Sequence, residues 1–286
     1  MNRFIIFVYL LTVTASLQAA DDIKPTIGMN EQMLKAIVSI ERIDAAGRCK
    51  PIGTGFLYLT PTNLVSLVTA RHVVTGGGTN PLDNLGYRIN IKNSAATVLK
   101  DSCIQPIAGP WFLSDKHDVA VRFFPYGNTT DILAVPSTMN MTVDRVKPAA
   151  TILILGFPMG LRSEEHTTAI VRRGSVARSD PNVIVVDAAV FPGNSGGPVF
   201  YFPELKLGSS QNVQISTAFY TQDALIGIVS ESISYVEPAI SPQTGRSRVT
   251  FEENSGLCNV IPVDALIELL NREDVRAFAD TLKNRR

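Results

Sequence analysis

The apolar residues of this chain fall into short segments separated by turns. Strand-sized runs rich in Val, Ile, Leu, Thr and Phe alternate with polar clusters such as TGGGTN and RSDPN. This pattern is typical of an all-β barrel or sandwich, in which many short strands are joined by frequent turns. We predict strands over residues 53–60, 64–70, 87–91, 118–124, 151–157, 183–190 and 224–230.

Helical periodicity is clear only near the end of the chain. After Pro262, apolar residues recur three or four positions apart as far as Leu282, which predicts a helix over about 262–283. A weaker helical pattern covers NEQMLKAIVSI, residues 30–40. The sequence therefore predicts a β protein that closes with a helix.

A polar stretch divides the strand-rich sequence into two parts. Residues 136–150 carry two prolines, and we interpret them as a linker between an amino-terminal lobe, about 31–135, and a carboxy-terminal lobe, about 150–260. A long insertion over residues 200–224 is expected to lie on the second lobe.

The first twenty residues differ from the rest. A basic residue, Arg3, precedes an apolar run from Phe4 to about Leu17, and small residues follow at Ala19 and Ala20. These features predict a secretory signal peptide over residues 1–20, with an uncleaved anchor as the alternative. No later stretch approaches the ~20 apolar residues of a membrane helix, so we expect a secreted or periplasmic mature chain with no membrane segment.

Composition excludes several classes of partner. The 286 residues include 26 basic and 26 acidic side chains, and this balance gives no reason to expect nucleic acid or an anionic membrane as a partner. The three cysteines, Cys49, Cys103 and Cys258, do not have the spacing of a zinc site. A Cys49–Cys103 disulfide is one option, and the sequence does not decide between it and its rivals.

The clearest candidate for a catalytic residue lies in FPGNSGGPVF, residues 191–200, where three glycines surround Ser195. A serine nucleophile needs a base to take its proton and donors to stabilise an oxyanion. Glycines adopt backbone conformations that other residues avoid, and the backbone N–H groups of Gly193 and Ser195 can then converge on one point. We therefore interpret Ser195 as a candidate nucleophile and this turn as a candidate oxyanion hole.

The chain offers three histidines as a base. His117 and His166 lie in polar surroundings typical of surface residues, whereas His72 follows an apolar segment in VTARHVV. His72 is therefore the preferred candidate.

Several motifs together resemble a known family. GTGF (53–56), TARHV (69–73), HDVAV (117–121) and GNSGGPV (193–199) occur in the order and spacing of chymotrypsin-fold serine proteases. The whole pattern is most similar to the HtrA/Deg type. The segment VVDAAVFPGNSGGPV (185–199) resembles the signature of that group throughout. That resemblance covers roughly residues 37–270 and implies two antiparallel six-stranded β-barrel lobes with the site between them.

The resemblance also implies roles for individual residues. His72 is expected to be the general base and acid, Asp118 to orient its ring, and Ser195 to form the acyl-enzyme. Asp83 and Asp115 are alternatives to Asp118. Backbone N–H groups of Gly193, Asn194 and Ser195, mainly the first and last, are expected to form the oxyanion hole. This machinery needs no metal or organic cofactor.

Departures from the family pattern bear on the expected substrate preference, activation and domain content. Where trypsin-like enzymes that prefer Lys or Arg carry an acidic residue, this chain has Ala189. Ser230 ends the strand GIVS (227–230), which is expected to bind substrate backbone, and Ser232 follows it. We expect cleavage after small or medium apolar residues. Asn194 replaces the aspartate that pairs with a new amino terminus in zymogens, so activation by such pairing is not expected. HtrA-type proteins continue into PDZ domains, and we expect none here.

The sequence thus predicts a serine endopeptidase acting on protein or peptide substrates, of unknown oligomeric state. Two alternatives share the fold: a catalytically silent binding or chaperone-like module, and an esterase.

Overall fold

Two β-sheet lobes and a carboxy-terminal pair of helices make up this protein. The computed structural model describes residues 31–163, 165–203 and 223–285. The predicted signal peptide, 1–20, and most of the predicted insertion, 200–224, lie outside the described residues.

The first lobe is an antiparallel sheet wrapped around an apolar core. Its strands are ordered β5-β4-β1-β2-β3-β7-β6, and the short β8 pairs in parallel with β2. Buried side chains such as Val38, Leu57 and Tyr87 fill the core. The elements of this lobe are α1 (Glu31–Leu34), β1 (Ile37–Ile43), β2 (Cys49–Leu59), β3 (Val65–Thr69), α2 (Arg71–Thr75), β4 (Leu85–Ile91), β5 (Ser94–Lys100), α3 (Asp101–Ala108), β6 (Phe112–Leu113), β7 (Ala120–Phe123) and β8 (Val135–Pro136).

The second lobe is a closed six-stranded barrel with strand order β10-β11-β14-β13-β12-β9. Its core contains Ile152, Val186 and Val260. The elements are β9 (Thr151–Gly156), β10 (Ile170–Asp180), β11 (Val183–Asp187), β12 (Pro198–Tyr201), β13 (Ala224–Ile240) and β14 (Ser247–Pro262), followed by the helices α4 (Val263–Asn271) and α5 (Glu273–Lys283).

The predicted all-β class with a helical carboxy-terminal end is confirmed, and each predicted strand overlaps an observed one. The predicted terminal helix is two helices, because Arg272 adopts an extended conformation (φ −62°, ψ 140°) between them. The helical pattern of residues 30–40 is realised only over Glu31–Leu34. From Ile37 the chain is the strand β1, whose apolar side chains are buried in the first lobe.

The first lobe differs from the predicted six strands, since its sheet contains eight. The additional pairing comes from two-residue strands, β6 at one edge of the sheet and β8 beside the end of β2. The predicted linker, 136–150, carries two 3-10 turns, Ser137–Met139 and Val143–Arg145.

The hairpin formed by β13 and β14 continues well beyond the barrel. The two strands remain paired as far as Ile240 and Ser247, and large apolar side chains on this extension, including Tyr235 and Phe251, are exposed. Among the described helices, none has the length and apolar character needed to cross a bilayer.

Candidate active site

Strand pairing in the first lobe brings His72 and Asp118 together. Strand β3 pairs with β7 so that Thr69 lies opposite Ala120. His72 follows the end of β3, in the short helix α2, and Asp118 lies two residues before the start of β7. Because antiparallel neighbours place the end of one strand beside the start of the other, the two side chains meet at the same edge of the sheet.

Asp118 holds His72 at two points. Its Oδ1 accepts the backbone N–H of His72 at 2.9 Å, and its Oδ2 lies 2.7 Å from Nδ1 of the ring. An ionised carboxylate can only accept, so Nδ1 carries the proton and Nε2 is left as the basic nitrogen. The arrangement fixes both the orientation and the tautomer of the imidazole.

The charge of Asp118 is stabilised by its neighbours. Burial raises the pKa of this carboxyl group, but hydrogen bonds from His72 and Ser230 outweigh burial, and the pKa lies below its ordinary value. Ser230 contributes through Oγ, which donates to Asp118 Oδ2 at 2.7 Å. Asp118 is therefore the ionised partner that a histidine base requires.

The turn that carries Ser195 depends on glycine at two positions. Gly193 and Gly196 have φ values of 101° and 84°, in the region that side chains with a Cβ rarely adopt. A Cβ at Gly193 would collide with the carbonyl oxygen of Phe157, and one at Gly196 with the carbonyl oxygen of Thr54. The backbone here is too close to its neighbours for any larger residue.

Backbone amides in this turn divide into two groups. The N–H groups of Asn194, Gly196 and Gly197 donate to carbonyl oxygens at 2.7–3.0 Å. Those of Gly193 and Ser195 donate to no acceptor in the described part of the chain. Two unpaired donors, one on the candidate nucleophile and one two residues before it, suit an oxyanion hole. Asn194, the third predicted contributor, uses its N–H inside the turn, on Phe191 O.

The backbone of Ser195 is hydrogen-bonded to the first lobe, beside the residue that follows His72. Its carbonyl oxygen accepts the N–H of Thr54 at 2.9 Å. The neighbouring Gly53 lies against both that oxygen and the side chain of Val73, the residue after His72. The Ser195 hydroxyl makes no hydrogen bond to His72 or to another described residue. Hydrogen bonds between nucleophile and base are often long without substrate and shorten when it binds.

The residues predicted to line a specificity pocket lie in different surroundings. Ala189 is exposed in the loop after β11, and Ser232 is half-buried on β13, opposite Cys258. Ser230 is buried and directed at Asp118. The loop after β11 is joined to β14 by two hydrogen bonds, from Asn254 Nδ2 to Val190 O and from Ala188 N to Gly256 O.

Among the described residues, none of the alternative acids and bases hydrogen-bonds to His72 or Asp118, although Asp115 and His117 line the same cavity as both. His117 Nε2 is 3.7 Å from a Glu268 oxygen, and His166 is exposed. Asp115 and Asp83 are exposed, and the former lies 3.8 Å from Arg272. No cluster of three or more His, Cys, Asp or Glu side chains suited to a metal ion occurs in the described ranges.

Comparison with known proteins assigns the family. A profile described as the trypsin-like peptidase domain matches residues 53–207, more than half of the chain. The chain belongs to the trypsin-like peptidase family. The predicted family is thus confirmed, and membership supports serine protease function. A search of curated proteins finds no match.

Two solved structures are similar to this trypsin-like peptidase. Human heparin binding protein aligns with a TM-score of 0.50 at 9% identity, over 85% of this chain and 92% of its own. An HtrA-type protease, AlgW, solved with a tripeptide, aligns with a TM-score of 0.46 at 16% identity, over 83% of this chain. This chain spans 60% of the length of that AlgW chain. At such identities the likeness to the human protein shows the fold alone.

Thr54 was not predicted to belong to this site, and Ser230 was predicted in a different role. Thr54 contacts the Ser195 turn, and Ser230 contacts Asp118. Ser230 was expected in the pocket, and its contact joins residues 112 positions apart, which no local pattern reveals. For Thr54, the only signal was its place in the GTGF motif.

Proposed function

We propose that this trypsin-like peptidase is a serine endopeptidase that cleaves through an acyl-enzyme intermediate. The observation that carries the proposal is the two-point contact of Asp118 with His72, which leaves Nε2 of the ring available as a base. Family membership and the two unpaired N–H groups of the Ser195 turn support it.

In the proposed reaction, substrate binding brings the Ser195 hydroxyl within reach of His72. Nε2 takes the hydroxyl proton while Oγ forms a bond to the scissile carbonyl carbon. The N–H groups of Gly193 and Ser195 stabilise the oxyanion that develops, and Asp118 stabilises the imidazolium. The imidazolium then gives its proton to the leaving amine as the C–N bond breaks. Water repeats the same steps to release the acyl group.

A fluorophosphonate probe tests the nucleophile directly. Purified protein should be labelled, and mass spectrometry should place the label on Ser195. Labelling should disappear in Ser195→Ala and His72→Ala and persist in Ser234→Ala, a matched change of an exposed hydroxyl. Folded protein that takes up no label would favour the silent binding module. A labelled protein that hydrolyses esters but no peptide would favour the esterase.

We further propose a preference for small or medium apolar residues before the cleaved bond. The loop after β11 presents Ala189 rather than an acid, and Ser232 adds a side chain on β13. Profiling with a peptide library measures the preference. A dominant preference for Lys or Arg would contradict the proposal.

Export is proposed from the amino-terminal sequence. The apolar run before Ala19 and Ala20 is expected to direct the chain to the periplasm or the medium and then to be removed. Expression of the full chain in a bacterial host, fractionation and mass determination test this. A mature species starting near residue 21 is expected, and Leu10→Arg together with Leu11→Arg should abolish export. An exported chain that retains residues 1–20 would support the anchor.

A further inference from the structure

Thr54 makes four hydrogen bonds, two of them to the Ser195 turn, although it belongs to the opposite lobe. It lies in β2 and is fully buried. Its Oγ1 donates to Gly193 O at 2.6 Å and accepts the N–H of Phe157 at 3.0 Å. Its backbone N–H donates to Ser195 O at 2.9 Å, and its carbonyl oxygen accepts the Thr69 hydroxyl at 2.6 Å.

The direction of each oxyanion donor follows from the carbonyl group before it. In a trans peptide the C=O of one residue and the N–H of the next point in opposite directions. Pro192 O accepts the N–H of Met159 at 2.6 Å, so the N–H of Gly193 must point away from Met159. Asn194 O accepts the N–H of Gly197 at 2.9 Å and directs the N–H of Ser195 in the same way.

The Thr54 hydroxyl connects the two segments that produce this arrangement. One segment is the Ser195 turn, to which Oγ1 donates at Gly193. The other is the turn Phe157–Gly160, which supplies the Met159 N–H and from which Oγ1 accepts at Phe157. Both roles of a single hydroxyl are therefore used, and they fix the distance between Met159 and Pro192.

We propose that Thr54 is a positioning residue for the oxyanion hole. Its hydroxyl holds the Phe157–Gly160 turn against the Ser195 turn and so keeps the Gly193 N–H directed into the cleft. This inference rests on the proposed function and extends it: stabilisation of the oxyanion by the second lobe depends on a side chain of the first.

Two substitutions separate the hydroxyl from the volume of the side chain. Thr54→Val keeps the shape and removes both hydrogen bonds, whereas Thr54→Ser keeps the hydroxyl. Loss of an oxyanion donor itself lowers kcat by about 10²–10³. Because Thr54 acts one contact away, we expect Thr54→Val to lower kcat about ten- to a hundredfold. KM should stay within about threefold, and Thr54→Ser should remain close to the wild type.

The chain offers a matched control. Thr60 is also buried in the first lobe, and its hydroxyl also bridges a backbone carbonyl and an amide, Leu64 O at 2.9 Å and Leu64 N at 3.1 Å. Thr60→Val removes the same two kinds of hydrogen bond far along the chain from the Ser195 turn. It should lower stability to a similar extent and leave kcat unchanged.

The experiment uses the full chain. The substrate is the peptide p-nitroanilide whose sequence the library profiling ranks first. Active sites are titrated with a fluorophosphonate, so that kcat refers to folded enzyme. A peptide aldehyde supplies a second readout, because its tetrahedral adduct places an oxyanion in the hole. Its inhibition constant should rise in Thr54→Val in parallel with the loss of kcat and stay constant in Thr60→Val. If Thr54→Val does not fold, Thr54→Cys, a much weaker hydrogen-bonding group of similar size, takes its place and should give an intermediate kcat.

Each outcome either supports or contradicts the positioning role of Thr54. Equal kcat values for Thr54→Val and Thr60→Val, a loss confined to KM, or wild-type kcat in Thr54→Cys would overturn the positioning role while the proposed function stands. A wild-type protein that neither reacts with the probe nor cleaves peptide would remove the proposed function, and this inference with it.

Discussion

The hydroxyl of Ser230 donates to Oδ2 of Asp118 at 2.7 Å, and the same oxygen lies 2.7 Å from Nδ1 of His72. Asp118 belongs to the first lobe and Ser230 to strand β13 of the second. The carboxylate is therefore supported from both sides of the cleft, and its geometry depends on how the lobes are docked.

Ser230→Ala should weaken this support. We expect kcat/KM to fall about threefold to tenfold, the equivalent of one hydrogen bond contributing about 1 kcal/mol. The lowered pKa of Asp118 contributes stability above its usual value of 3.8 and loses it as the pH falls through the lower, folded value. Since the substitution raises that folded pKa, acid unfolding should begin at a higher pH than in the wild type.

Circular dichroism across an acid titration measures the effect on stability. Ser234→Ala, at an exposed position farther along the same strand, is the control and should behave as the wild type. Identical acid transitions for Ser230→Ala and the wild type would show that the hydrogen bond does not stabilise the carboxylate.

Gly193→Ala should impair catalysis more than folding. Gly193 has a φ of 101°, and the carbonyl oxygen of Phe157 occupies the place where a Cβ would lie. The turn must move, and the Gly193 N–H moves with it, so we expect kcat to fall about 10²–10³-fold. Gly47→Ala is the matched control, because Gly47 has a φ of 79° but open space around it. It should cost about 1 kcal/mol of stability and leave kcat intact.

Steady-state kinetics and urea unfolding of both variants check this prediction. Wild-type kcat in Gly193→Ala would mean that the turn tolerates a shift and that its N–H is not the oxyanion donor.

Glu41 is the centre of a buried ion cluster that joins the two lobes. The side chain is fully buried, and its Oε1 lies 2.7 Å from Nε of Arg88 and 2.8 Å from Nε of Arg162. Arg88 belongs to β4 of the first lobe, whereas Arg162 follows the Phe157–Gly160 turn of the second. Removing the carboxylate would leave two cations together in a buried site.

Glu41→Gln should therefore destabilise the protein by about 3–5 kcal/mol, as expected when one partner of a buried ion pair is removed. Urea unfolding measures the loss. Glu237→Gln, an exposed change on the β13–β14 extension, should stay within about 0.5 kcal/mol of the wild type. A loss equally small in Glu41→Gln would indicate that water or neighbouring groups compensate for the missing charge.

The sequence predicted the parts of the fold in which burial follows a local pattern. Strands such as β3 and β9 are almost wholly buried, and their apolar runs marked them clearly. Strand β13 was predicted only to Ser230, because beyond that point its side chains are mostly exposed and leave no apolar pattern. Helix α3 was missed because it is short and contains Pro106.

The candidate site, like the fold, contains residues that the sequence predicted and residues that it did not. Ser195 and His72 stood out as candidates because each has distinctive neighbours in the sequence, such as the glycines of the Ser195 turn. Thr54 gave no comparable signal, because its hydroxyl contacts residues 103 and 139 positions away. Contacts of that kind are set by how the lobes pack, and spacing along the chain does not encode them visibly.

The three cysteines, whose pairing the sequence left open, are free thiols in the structure. Their surroundings differ: Cys103 is exposed, Cys49 is half-buried, and Cys258 is buried. Burial raises the pKa of Cys49, and burial together with the charge of Glu231 raises that of Cys258 to about 12. Because the thiolate is the reactive form, a raised pKa slows modification.

We therefore expect three kinetic phases with a thiol reagent such as DTNB at pH 8. Cys103 should react first and Cys49 more slowly, while Cys258 should react only after unfolding in denaturant. Cys103→Ser should remove the fast phase alone, which assigns it. Native protein purified without reductant that yields a single thiol even in denaturant would contradict this arrangement, because it would mean that two of the cysteines had formed a disulfide in solution.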